Sequence, residues 1–118
     1  MHSQDGFESR SLDAAAGRHE LTLRGRIYAD SAPQLKAEVM RLADSGLQSL
    51  VVDATALEQI DSSGLNVFVH LLKRIRPDGG KIVFYGLNQN LKRVFEITKL
   101  GRVMEVRTTR EEAMECVV

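Results

Sequence analysis

The order of apolar runs along this chain restricts its fold more than any other feature. Leu50-Val51-Val52 is a short unbroken apolar run, and Leu65, Phe68, Val69, Leu72 and Ile75 then recur at helical spacing before a second strand-like run from Lys81 to Tyr85. An apolar run without alternation fits a strand covered on both faces, whereas recurrence every three or four residues fits a helix with one buried stripe. A helix between two strands carries the chain back to the end where the first strand began. The two strands therefore run parallel, with a right-handed crossover. The pattern predicts an α/β fold with a mostly parallel sheet.

The flanking segments extend the same scheme. Phe7 to Leu12 and Glu20 to Ile27 read as an N-terminal hairpin turning at Ala14-Ala15-Ala16-Gly17, with a bulge or bend at Gly25. Ser31-Ala32-Pro33-Gln34 reads as a capping box, and Leu35, Val39 and Leu42 follow at helical spacing up to Gly46. The central helix is expected from about Ser62 to Ile75, stopped by Pro77, Gly79 and Gly80. A third helix is expected over Asn88 to Ile97, a last strand over Val103 to Val106, and a terminal helix opened by Thr108 with Glu111. Residues 1–6 are set apart as a disordered terminus, and 7–118 form a single domain.

Composition closes several functional classes. Sixteen basic residues balance sixteen acidic ones, so no overall field draws nucleic acid or an anionic membrane. The cluster Lys73, Arg74, Arg76 and Lys81 lacks interleaved aromatics and reads as a solvated helix end. A single cysteine, Cys116, excludes an internal disulfide and reads as a small buried apolar residue. The opening MHSQDGFESR has no apolar run, and no stretch approaches the length of a membrane span. The expected location is the cytoplasm.

Catalytic motifs are missing where they would be needed. Gln59 and Ile60 precede Ser62 and Ser63, so the Gly-x-Ser-x-Gly elbow is absent. His70 lies eight residues beyond Ser62, roughly 12 Å along a helix, which is too far for a base. His2 and His19 read as surface residues. No metal-ligand spacing, Walker loop or Gly-x-Gly-x-x-Gly occurs. The expectation is a protein that is not an enzyme, with no cofactor and no metal. What remains is a hydroxyl at a helix start, at the carboxyl end of a central strand, where α/β proteins tend to place their sites.

These residues carry a resemblance. Leu50-Val51-Val52-Asp53 followed by Ile60-Asp61-Ser62-Ser63-Gly64-Leu65 resembles the signature of STAS domains, and in particular of bacterial anti-sigma factor antagonists. Gly79-Gly80, then Asn90-Leu91-Lys92-Arg93-Val94-Phe95 and Leu100-Gly101, continue it in order, over about Gly25 to Val106. The resemblance implies the STAS fold: a mostly parallel central sheet of four to five strands, an N-terminal hairpin, and four helices packed around the sheet. It also implies partner switching. The unmodified protein binds an anti-sigma factor that is itself a serine kinase of the histidine-kinase-like ATPase type. Phosphorylation then releases the kinase, and a PP2C-type phosphatase restores the binding form. Carried onto this chain, Ser62 is the phosphoacceptor, and Asp61, Ser62, Ser63, Gly64 and Asn66 form the partner-binding surface. No direct contact with nucleic acid or membrane is implied.

Simpler roles stand beside these. Asp61 or Ser63 is expected to cap the helix, Gly64 to permit close helix–sheet packing, and Leu65 to lie in the core. Val67 and Leu71 widen the apolar face enough to leave one residue for a partner. Two departures from the family pattern stand out. Family members commonly carry Gly-Glu-Leu-Asp at the end of the early strand, where this chain has Gly25-Arg26-Ile27-Tyr28, and Asn66 replaces a frequent glycine. The competing reading is a STAS subunit of a lipid or small-molecule transport complex.

Overall fold

The computed structural model describes residues 5–117. Met1–Gln4, most of the segment set apart as disordered, and Val118 lie outside the described residues. Gly6 already belongs to the first strand, and the Asp5 carboxylate accepts the Arg26 amide at 3.0 Å.

Five strands form one sheet: β1 (Gly6–Asp13), β2 (Arg18–Ile27), β3 (Ser49–Ile60), β4 (Lys81–Tyr85) and β5 (Glu105–Arg107), in spatial order β1-β2-β3-β4-β5. β1 pairs antiparallel with β2, and every other pair is parallel. Helices α1 (Ala32–Asp44), α2 (Ser62–Ile75) and α3 (Gln89–Thr98) make the three crossovers, and α4 (Arg110–Glu115) follows β5. Each crossover steps one strand further in the same direction. Right-handed connections then place all three helices on one face of the sheet. Their buried residues share one core with Leu21, Leu50, Val52 and Phe84, while α4 packs the opposite face, against Val51, Val83 and Tyr85.

Edge-to-face contacts of Phe68 with Phe84 (5.1 Å) and of Phe84 with Phe95 (4.9 Å) tie α2 and α3 to β4. Leu50, Val51 and Val52 are fully buried, as a strand with helices on both sides requires.

Several local expectations shift. β3 extends well beyond its apolar run: it pairs with β4 only over Ser49–Asp53, but with β2 as far as Ile60. β2 holds its partner across register breaks at Thr22/Arg24 and Gly25/Arg26, the latter beside Gly25 at φ +68°. The Ser31 capping box does not form, because the Ser31 hydroxyl turns to the backbone of Tyr28. The terminal capping box is real but one residue later, at Thr109 and Glu112. The last strand begins at Glu105 because Leu100–Arg102 winds into a 3-10 turn, leaving Val103 exposed. Val67 and Leu71 leave nothing on the surface: both are buried, since α2 sits in the crease between α1 and the sheet.

Candidate functional site

The extended end of β3 delivers the chain to the N-terminus of α2. Asp61 is the N-cap, in extended backbone, with its amide donating to the Ile27 carbonyl at 3.1 Å and its carboxylate accepting the Gly64 amide at 3.0 Å. One of the four orphan donors of the first turn is thereby satisfied. The cap belongs to Asp61 and not to Ser63.

This division of labour leaves Ser62 uncommitted. It is the first helical residue, it is exposed, and its hydroxyl has no hydrogen-bond partner among the described residues. Ser63 is half-buried and lines a groove between α1 and α2 with Lys36, Asn66 and His70. Asn66 is exposed one turn beyond Ser62, so the two share a helix face.

Gly64 has a packing role. A Cβ there would lie 2.6 Å from Ile60 Cγ1 and 3.1 Å from Ile27 Cγ2, so the helix start rests directly on the ends of β2 and β3. Asp61, Ser62, Ser63, Gly64 and Asn66 therefore lie together at the start of α2, with Asp61 as its cap and Gly64 as its contact with the sheet.

The departure at Arg26-Ile27-Tyr28 has a visible consequence. Ile27 is buried, while Arg26 turns outward and its guanidinium faces Asp5 at 3.9 Å. The Tyr28 hydroxyl hydrogen-bonds the Gln59 side chain, joining the ends of β2 and β3 beside the α2 cap. Tyr28 and Asp61 lie on one bank of a groove of about 450 Å³, with Val94 and Ile97 of α3 on the other.

A second polar cluster, on the opposite face of the sheet, has no counterpart in the sequence reading. Glu20 is 3% exposed. Its carboxylate accepts from Arg10 (2.8 Å and 3.1 Å), from Arg110 (3.0 Å and 3.2 Å) and from the Tyr85 hydroxyl (3.0 Å). Burial pushes the Glu20 carboxyl up, but the hydrogen bonds from Arg110, Arg10 and Tyr85 outweigh it and hold its pKa below the ordinary carboxylate range. Burial, reinforced by Glu20, pushes the Tyr85 phenol up. Glu20 thus joins β1, β4 and α4. The available signal was its place in β2: with Leu21 and Leu23 in the core, Glu20 faces the other side, which the periodicity leaves unassigned.

His19 is half-buried beside Glu38 and Arg41, where burial and Arg41 lower its pKa. His70 is exposed on α2, and His2 lies outside the described residues. Cys116 is half-buried, not fully so, and its thiol donates to the Glu112 carbonyl at 3.4 Å. Among the described residues no three His, Cys, Asp or Glu side chains converge as metal ligands, and no helix is long and apolar enough to cross a membrane.

A sequence profile describing the STAS domain matches residues 14–113. An anti-sigma-B factor antagonist of Listeria monocytogenes is 34% identical over 95 residues, covering 79% of this chain and 82% of that protein. BtrV of Bordetella bronchiseptica, a candidate anti-sigma factor antagonist, is 31% identical over 103 residues, covering 87% and 89%. The crystal structure of a candidate anti-sigma factor antagonist from Thermotoga maritima superposes with a TM-score of 0.85 at 28% identity, covering 94% of this chain and 93% of that one.

Proposed function

The chain belongs to the STAS domain family, and from that membership we propose that it is an anti-sigma factor antagonist working by partner switching at Ser62. The unmodified corner around Asp61–Asn66 docks a serine kinase that doubles as an anti-sigma factor. The Ser62 oxygen takes the γ-phosphoryl group of kinase-bound ATP, ADP departs as the leaving group, the hydroxyl proton passes to a base of the kinase and on to solvent, and the complex dissociates. A PP2C-type phosphatase hydrolyses the phosphoserine and restores the binding form.

One observation carries this reading: Asp61 caps α2, so the Ser62 hydroxyl beside it is exposed and has no structural role to lose. Phosphorylation adds about −1.5 to −2 charges at the positive end of a helix dipole, where an anion is tolerated or favoured. The fold survives the modification. The complex does not, because a docked partner has to desolvate and face a dianion. Ser63, half-buried against α1, is the poorer acceptor.

The test is incubation with ATP and each histidine-kinase-like ATPase of the same genome, followed by mass spectrometry. The expected result is a gain of about 80 Da for one phosphoryl group, located at Ser62, abolished by Ser62→Ala and retained in Ser63→Ala. Absence of the gain with every such kinase would overturn the reading.

A further inference from the structure

The two edges of the sheet differ in what they leave unpaired. β5 closes one side with three residues, Glu105–Arg107, whereas β1 closes the other with eight, Gly6–Asp13. Along β1 the pairing with β2 is regular from Gly6 to Ser11 and breaks at an irregularity between Ser11 and Asp13. Among the described residues no strand lies on the outer side of that regular stretch, and no proline interrupts it.

Charges ordinarily blunt such an edge. On β1 they select a register instead. Side chains alternate along the strand, so Phe7, Ser9 and Ser11 lie on the helix side, Phe7 packing on the core and Ser9 donating to Glu38 of α1. Glu8 and Arg10 project from the opposite face, with side chains 73% and 65% exposed, and each is tied inward to β2: Glu8 to Arg24, Arg10 to Glu20. A second β1 laid antiparallel on this edge keeps the faces matched only when the twofold axis passes through a residue. An axis at Glu8 or at Arg10 sets like charges opposite each other, which is destabilising. An axis at Phe7 or at Ser11 carries the ladder off one end of the regular stretch. An axis at Ser9 sets Glu8 of each copy opposite Arg10 of the other and centres the ladder on Phe7–Ser11, ahead of the irregularity.

We propose that β1 is a self-association edge, on which two copies of this chain pair antiparallel about Ser9 and join their sheets into one. The charged face then alternates in sign across the junction: Glu20 and Arg10 of one copy, followed by Glu8 and Arg24 of the other. A chain of different sequence would have to supply the same acid–base order in reverse, whereas a second copy brings it by symmetry. A ladder this short buries little surface, so the dimer is weak and forms at high concentration. It stands independently of phosphorylation at Ser62.

The test is disulfide trapping in the full-length chain carrying Cys116→Ser, which removes the one native thiol. Residues directly opposite in an antiparallel pair have Cα atoms about 4.5–5.5 Å apart, within the span of a disulfide. Under mild oxidation at millimolar protein, Ser9→Cys is expected to give a covalent dimer on non-reducing gels. Glu8→Cys, Arg10→Cys and Ser11→Cys are each expected to give far less, because none of them faces its own copy. Sedimentation equilibrium of the wild type is expected to show association that Glu8→Lys weakens about tenfold, with an unchanged circular-dichroism melt. A wild type that stays monomeric to millimolar concentration overturns the proposal. So does trapping through Glu8→Cys or Arg10→Cys as fast as through Ser9→Cys, or association with no Ser9→Cys trapping, either of which puts the contact in another register or on another surface.

Discussion

Asp61 and Glu20 are both carboxylates that accept hydrogen bonds from their own chain, yet their surroundings differ completely. Glu20 is buried against the sheet face that α4 covers, and it takes five hydrogen bonds from two arginines and a tyrosine. Asp61 caps a helix at the surface, takes one amide hydrogen bond at 3.0 Å, and leaves the neighbouring Ser62 hydroxyl free. In the first cluster every acceptor is turned inward, and the result is a joint between β1, β4 and α4. In the second, a minimal cap holds the helix while an exposed hydroxyl stays outside the structural network. The polar groups that hold the fold together are thereby kept on residues other than the exposed Ser62.

The largest break in this comparison should come from the buried carboxylate. Glu20→Ala removes the acceptor shared by Arg10, Arg110 and Tyr85 and is expected to lower stability by about 2–3 kcal/mol in urea denaturation, the lower end for a buried pair because both arginines are partly exposed. The pH dependence has a definite sign. The folded carboxyl has a lower pKa than the unfolded one. Its contribution is therefore present above the ordinary carboxylate range and is lost as pH falls through that range and the lower folded value. Thermal melts across that window should show a flatter acid limb in Glu20→Gln than in the wild type.

Gly64→Ala comes next. Alanine favours helix, but its Cβ would overlap the side chain of Ile60, and the net expectation is a loss of about 1–2 kcal/mol in the same denaturation assay. Asp61→Ala should cost about 1 kcal/mol, the usual value of an N-cap, and Asp61→Ser should recover most of it. Ser62→Asp should change stability by less than about 0.5 kcal/mol, since the hydroxyl supports nothing and a negative charge suits a helix start. A loss at Ser62 as large as that at Asp61 would erase the separation of roles between the two residues.

The central helix shows why part of this site could be read directly from the chain. Its stripe from Leu65 to Ile75 fixes which side is buried, and its start is marked by Asp61-Ser62-Ser63-Gly64, so the elements and the exposed hydroxyl follow from local pattern alone. The cap was harder to assign. Asp61 and Ser63 are both good cap residues, and only the backbone path out of β3 decides that Asp61 holds the extended conformation from which its carboxylate reaches the Gly64 amide. The Ser31 capping box failed for a related reason, because the Tyr28 backbone competes for the same hydroxyl.

Periodicity and turn chemistry were enough to settle the alternation of strands and helices, the parallel sheet with its N-terminal hairpin, and the position of Ser62 at a helix start, because each depends on residues close together in the chain. The Glu20 joint and the Tyr28–Ile97 groove depend on contacts across many intervening residues. Glu20 meets Arg110 ninety positions away, and no local pattern encodes such a meeting. It arises when crossovers of one hand place three helices on one face of the sheet and leave the other for α4.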